Sequence, residues 1–259
     1  MGKVYIQLNG SIGWLIFDNE SRRNAISVSM WQQIPKLAAE LADNPQVRVV
    51  VLRGAGETSF VSGADISEFR ETRIGENARG YDELNSAAYR ALLDLKKPTI
   101  AMIHGHCIGG GTLLALTCDI RYASTSAVFA VPAAKLGLGY PIDGIRLLTA
   151  ATSPARAKEI LFTGTQFGAN AAAEAGIVNL VVDTDDLEPR VRALANGIAD
   201  NAPLTLQGIK IAMAQLSRPP CERDMSVVDR ALEACFHSED YAEGVDAFLN
   251  KRPAKFNGR

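Results

Sequence analysis

The chain has 259 residues, 47% of them hydrophobic and 22% charged, with a formal net charge of -2. That length can bury one large core, or a core with a smaller appendage. The near-neutral balance excludes broad attraction to nucleic acid or to an anionic membrane and leaves room only for a local basic cluster around one phosphorylated ligand. No basic segment with a long apolar run opens the chain and no later stretch is apolar enough to span a bilayer, so a cytoplasmic location is expected. The four cysteines, Cys107, Cys118, Cys221 and Cys235, share no C-x-x-C spacing and read as buried reduced thiols.

Val4 to Leu8 and Ile12 to Phe17, separated by Asn9-Gly10, form an expected hairpin, because Asn-Gly accepts the positive φ angles of a tight turn. Met30, Ile34, Leu37 and Leu41 recur at helical spacing after Ser27 and Ser29, either of which can cap. Pro35 in mid-pattern predicts a kink or a late start. Val47 to Leu52 is a continuous apolar run stopped by Gly54, as in a buried strand. The small-residue turn Ser62-Gly63-Ala64-Asp65-Ile66 follows. Leu84, Ala88, Leu92 and Leu95 then mark a helix that Pro98 ends. Strand 98–103, helix 110–117 and strand 119–123 make a βαβ-like sequence. From about Asp185 the pattern is helical only: Leu206, Ile209, Met213 and Leu216, then Met225, Val228, Leu232 and Phe236, then a last helix started by Ser238, Glu239 and Asp240. This carboxy-terminal apolar face serves either as an oligomer surface or as cover for its own core.

Gly109-Gly110-Gly111 lies between the strand 98–103 and the helix that begins at 110. There the backbone N–H groups at the helix start point at whatever negative charge docks. The Ser62 turn can supply a second donor. No carboxylate follows the glycines directly, so anion binding is more legible than proton transfer. His104 and His106, read on one face of a strand, lack a third metal ligand nearby, and no metal is expected. His237 is isolated. A G-x-S-x-G elbow, a Walker loop and a dinucleotide fingerprint are all missing, which leaves serine-hydrolase and hydride-transfer chemistry unsupported.

With these segments in place the chain resembles the crotonase (enoyl-CoA hydratase/isomerase) superfamily over nearly its whole length. The blocks that carry the resemblance occur in the family's order: Arg22-Arg23-Asn24-Ala25-Ile26, 60–66, 101–111, 118–123, 129–139 and the ending Phe248-Leu249-Asn250-Lys251-Arg252-Pro253. The resemblance implies an α/β fold, a crotonase-like spiral of ββα units over residues 1–195. It further implies a carboxy-terminal helical region, 196–259, that makes trimers or dimers of trimers. The implied ligand is an acyl-CoA thioester, with coenzyme A as part of the substrate and no separate cofactor.

Position by position, the family's two oxyanion-hole amides fall on Ala64 and Gly110, and the coenzyme A moiety runs along Ser62, Ala64, Asp65 and Ile66. Arg22 or Arg23 suits the phosphates, since an arginine gives forked, charge-assisted hydrogen bonds. Lys251 and Arg252 suit the dipole of a final helical turn better than a neighbouring subunit's coenzyme A. The places of the two glutamates that work in typical hydratases hold Leu113 and Ala133, so two-carboxylate activation of water has lost its acid and its base.

Asp143 is the remaining candidate acid/base, with Tyr140 as an orienting or proton-donating neighbour. Asp65 is expected to hold its own loop, and Glu68 to sit at a solvated helix start. The expected function is enolate stabilisation on an acyl-CoA thioester with Asp143 moving the proton. The alternatives are a coenzyme A thioester-binding oligomer without turnover, and a hydrolase or dehalogenase with Asp143 as nucleophile.

Overall fold

The computed structural model describes residues 2–75 and 77–259. The chain opens with β1 (Lys3–Asn9) and β2 (Ile12–Asp18), an antiparallel pair in which Asn9 faces Ile12. The two-residue turn is therefore Gly10-Ser11, one position later than Asn9-Gly10. Only its first residue, Gly10, has positive φ, at 57°, the pattern of a II′-type hairpin turn.

Helix α1 (Val28–Asp43) starts directly after Ser27, whose hydroxyl accepts from the Met30 N–H, and runs through Pro35. A late start is thus corrected. The hydrogen bond that Pro35 removes is offset by burial of Met30, Trp31, Ile34, Ala38 and Leu41 along one face.

Three ββα units follow. The first is β3 (Val49–Gly54) and β4 (Ser59–Val61), then a short α2 (Phe69–Thr72) and α3 (Asn77–Leu93). The second is β5 (Thr99–Ile103), β6 (His106–Ile108) and α4 (Gly110–Leu116). The third is β7 (Ile120–Ser124), β8 (Val128–Ala130) and α5 (Ile142–Ala151). Then come α6 (Pro154–Thr163), β9 (Phe167–Gly168), α7 (Ala169–Glu174), β10 (Leu180–Val182) and the helices α8 (Thr184–Ala199), α9 (Pro203–Leu216), α10 (Met225–Phe236) and α11 (Glu239–Leu249).

The first strand of each unit joins a six-stranded sheet, β1-β2-β3-β5-β7-β10, and the second joins a four-stranded sheet, β4-β6-β8-β9. Each unit thereby adds one strand to each sheet and steps the chain forward, which is the spiral expected from the sequence. The strands from β2 to β10 in the larger sheet are parallel, and the central ones are covered on both faces, so β3 and β5 read as nearly continuous apolar runs. On one face Ile12, Trp14, Ile16, Val49 and Val51 meet Leu187, Val191 and Ala195 of α8. On the other, Leu15, Phe17, Val50 and Leu52 join α1 and the small sheet in the main core.

Helix α8 spans residues 184–199 and so crosses the expected 195/196 division. Farther on, Lys210 reaches back to the Asp119 carboxylate at 2.7 Å and the Arg48 guanidinium holds the Phe256 carbonyl at 2.7 Å. The exposed side of α9 to α11 still presents Met213, Phe236, Phe248 and Leu249 to solvent. Cys107 and Cys118 are buried as expected, whereas Cys221 is exposed and Cys235 only half-buried. No helix among the described residues is long and apolar enough to cross a membrane.

Candidate active site

Strands β4 and β6 are parallel neighbours, with Ser59 opposite His106 and Val61 opposite Cys107. The loops leaving their carboxyl ends, 62–65 and 109–111, therefore emerge side by side. Contact between them is close enough to require glycine: a Cβ on Gly111 would stand 2.1 Å from the Val61 carbonyl oxygen.

Ile26 fixes the first loop. Its N–H donates to the Gly63 carbonyl at 2.8 Å, and its carbonyl accepts from the Asp65 N–H at 2.9 Å, a parallel bridge opposite Ala64. Because both bonds use the residues flanking Ala64, the Ala64 N–H points away from Ile26, and it has no partner among the described residues. In the second loop Gly109 turns at φ 54° and its N–H donates to the Ala130 carbonyl at 2.7 Å. Gly110, the first residue of α4, is thus left with an N–H that no intrahelical carbonyl can reach.

A cavity of about 140 Å³ has both Ala64 and Gly110 in its wall. Leu113, Val131, Ala133 and Leu138 make one side apolar. Tyr140, Pro141 and Asp143 close it, and Asn85, Ser86 and Tyr89 of α3 face it with Phe69 and Arg73. Asp143 is the one carboxylate among the described lining residues. It sits in the first turn of α5, half-buried, and its carboxylate has no hydrogen bond or ion pair among the described residues.

The Tyr140 hydroxyl is buried and also lacks a partner among the described residues. Burial pushes this phenol far above its usual range, so it stays protonated. Its ring is clamped over Gly144, where a Cβ would come within 2.8 Å of Cε1. Tyr89 meets Trp31 edge-on at 5.6 Å, and its hydroxyl stands 3.4 Å from where a Gly110 Cβ would be. The Trp31 indole in turn donates to the Tyr81 hydroxyl at 3.1 Å.

Other polar candidates are spent on structure. Asp65 accepts from the Ser67 N–H at 3.1 Å and from Arg22 at 2.8 and 2.7 Å, so it holds its own loop. Burial favours the neutral form of Asp65, but hydrogen bonds from Ser67 and Arg22 outweigh that and keep the carboxyl below its ordinary value. Arg22 remains half-exposed beside Ser62 and Ile66, the stretch expected to meet coenzyme A.

Glu68 does stand at the start of α2, but its carboxylate is not left to solvent: it accepts the Val28 N–H at 2.8 Å and so caps α1. Arg252 lies beyond the last helix and forks onto Glu243 and Asp246, each at 2.6 Å. His104 follows the end of β5 while His106 begins β6, so the two do not share a strand. Among the described residues no group of three His, Cys, Asp or Glu is placed to hold a metal ion.

Asn85, Tyr89 and Arg73 did not emerge from the sequence. Tyr81, Asn85 and Tyr89 recur every four residues on α3, and all three are buried. That spacing was the available signal, masked by the stronger apolar series through Ala88 and Leu92. Asn24 was read only as part of a block, yet it is 1% exposed and anchors the loops. Its Nδ2 donates to the Ala55 and Ser59 carbonyls at 2.9 and 2.7 Å, and its Oδ1 accepts the Asn19 N–H at 3.0 Å.

The model of the enoyl-CoA hydratase/isomerase family matches residues 7–259. A short-chain-enoyl-CoA hydratase of Clostridium acetobutylicum is 31% identical over 252 residues, covering 97% of this chain and 96% of the relative. A carnitinyl-CoA dehydratase of Escherichia coli K12 is 33% identical over 260 residues, covering 99% and 98%. Among solved structures, an enoyl-CoA hydratase/isomerase family protein from Hyphomonas neptunium superposes with a TM-score of 0.93 at 35% identity, covering 99% of this chain and 98% of that one. The chain belongs to the enoyl-CoA hydratase/isomerase family. It has the crotonase fold and is an acyl-CoA enzyme of that family.

Proposed function

We propose that the protein stabilises the enolate of an acyl-CoA thioester between the amides of Ala64 and Gly110, with Asp143 as the acid/base. The observation that carries this is one cavity lined by Ala64, Gly110 and, among the described residues, the single carboxylate of Asp143, with neither amide nor carboxylate partnered among those residues. As Asp143 takes a proton from the α-carbon, the C–H electron pair forms the Cα=C bond and the thioester carbonyl becomes an oxyanion. Both amides then strengthen their hydrogen bonds to it. Return of the proton to another carbon moves a double bond, and the Tyr140 hydroxyl is a protonated donor at hand for that or for orienting the chain.

Hydration between two glutamates is disfavoured. By resemblance those places are Leu113 and Ala133, and both line the cavity as apolar groups. Coenzyme A would lie along Ser62, Ala64, Asp65 and Ile66 with Arg22 at its phosphates. The exposed apolar faces of the region 196–259 would assemble a trimer or a dimer of trimers.

Incubating the enzyme with enoyl-, β-keto-, malonyl-type and aryl-CoA thioesters in D₂O, with mass spectrometry of the α-carbon, tests the reading. Exchange that Asp143→Asn lowers at least a hundredfold supports it. Tight thioester binding without exchange or product, unchanged in Asp143→Asn, selects a binding protein instead. A covalent adduct on Asp143 selects the nucleophilic route.

A further inference from the structure

We propose that the acyl group this site prefers is short and dicarboxylic, its free carboxylate received by the Arg73 guanidinium. This rests on the acyl-CoA reading above and adds the class of acyl group. Arg73 is the one basic residue among the described residues of the cavity wall, where Leu113, Val131, Ala133 and Leu138 are apolar. Its side chain is only 8% exposed. An arginine does not shed its charge in a protein, and a buried charge is costly unless it is paired.

The pairing that the protein itself supplies is partial. One nitrogen, Nη2, donates to one oxygen of Asp82 at 3.0 Å, and the Asp82 side chain is itself 38% exposed. The Phe69 and Tyr81 rings lie 5.1 and 4.7 Å from the guanidinium carbon, which holds the group in place but satisfies none of its N–H bonds. Nε and Nη1 have no partner among the described residues. Nor do they belong with the unpartnered atoms that are sealed from contact, which are Trp14 Nε1, Asn85 Oδ1, His104 Nε2 and the Tyr140 hydroxyl, so they keep surface that an occupant can touch. The charge is felt on the cavity side as well: burial raises the Tyr140 and Tyr89 phenols, and the Arg73 charge acts against it in both.

This group sorts the acyl chains that enter. An alkyl chain would strip water from the free N–H groups and give nothing back. An ammonium would be repelled. A carboxylate offers two oxygens to parallel N–H donors, the fork that a guanidinium matches best. Ser86, one turn after Asp82 on α3, lines the same cavity half-buried. Its hydroxyl has no partner among the described residues, so a second donor stands on that wall.

Position follows from α3. Asp82, which anchors Arg73, precedes Tyr89 on this helix by about two turns, roughly 10 Å along the axis, and the Tyr89 hydroxyl stands beside Gly110. The carboxylate therefore belongs at the far end of the chain and not on the α-carbon. Size follows from the volume of about 140 Å³, comparable with a cavity of about 150 Å³ that holds one benzene.

Calorimetry with unreactive saturated thioesters tests the proposal: pentanoyl-, glutaryl-, hexanoyl- and adipoyl-CoA. At one of the two lengths the dicarboxylic thioester should bind at least tenfold more tightly than its alkyl counterpart. Arg73→Met, which keeps an unbranched stem against the two rings, should bring it to the alkyl affinity or below while free coenzyme A binds as before, a sign that the variant is folded. The wild-type comparison decides the matter without any variant. Equal or weaker binding of both dicarboxylic thioesters there overturns the inference and leaves the acyl-CoA reading standing, as does a preference that survives Arg73→Met. If none of the thioesters binds, the acyl-CoA reading itself fails.

Discussion

The two sides of the cavity are built on opposite principles. The side formed by residues 19–28 and 59–68 is densely cross-linked: Asn24, Asp65, Arg22 and Glu68 each hold backbone or side-chain groups of a neighbouring segment. The side formed by Tyr140 to Asp143 and the adjoining face of α3 carries polar groups without such bonds. The contrast teaches a division of labour. Paired groups fix the loop that carries Ala64, and in the proposed function such fixed positions cost nothing to reorganise when charge develops between the Ala64 and Gly110 amides. Of the unpaired groups, the Asp143 carboxylate is the one that the proposed function assigns to substrate.

The largest effect should come from removing an amide outright. Proline is tolerated at the first position of a helix, so Gly110→Pro should keep α4 while deleting the donor, lowering kcat by about a hundred- to a thousandfold. Steady-state kinetics beside thermal melts would check it, and near-normal turnover in a folded variant would break the comparison at its centre.

Next in size is a break on the cross-linked side. Asn24→Ala strands the Ala55 and Ser59 carbonyls and places alanine at a φ of 56°. A destabilisation of about 3 kcal/mol is expected from two unpaired buried groups, read by urea denaturation. A loss under about 1 kcal/mol would mean that this side is not held by its polar bonds.

The effect that is smallest at neutral pH concerns an orphaned atom away from the cavity. His104 Nε2 is an orphan too, but His104 is absent from the cavity wall. Burial, then the charge of Arg53, push its pKa down to about 4. In the unfolded chain it titrates near 6.5, so the unfolded state binds the proton first as pH falls. Stability from the neutral ring is fully present above pH 6.5 and drains as pH drops toward 4, by up to about 1.4 kcal/mol per pH unit. His104→Phe should flatten that slope and leave turnover unchanged. A steep slope persisting in the variant would assign the acid sensitivity to other groups.

Much of the fold was legible because its elements are locally specified. The caps at Ser27 and Ser238, the apolar spacing of α1, α9 and α10, and the apolar runs of β3 and β5 are properties of short windows. The three-residue strands β4, β6 and β8 escaped notice because three residues carry no measurable period. Pro35 misled because local propensity yields to a buried face. In the site, the glycine run and the Ser62 turn were found from small-residue content. The bond from the Val28 N–H to Glu68 was not legible because the two residues lie 40 positions apart.

By itself the sequence determined the family, the two loops that carry the amides, and the apolar residues at 113 and 133. Those follow from residue identities in order along the chain. Tertiary structure alone decided that Ala64, Gly110 and Asp143 line one cavity, and that Asn85 Oδ1 and the Tyr140 hydroxyl are buried with no partner among the described residues. Such facts depend on the parallel register of β4 with β6 and on where α3 and α5 pack. Register and packing are set by burial summed over the whole core, and no short window of sequence contains that sum.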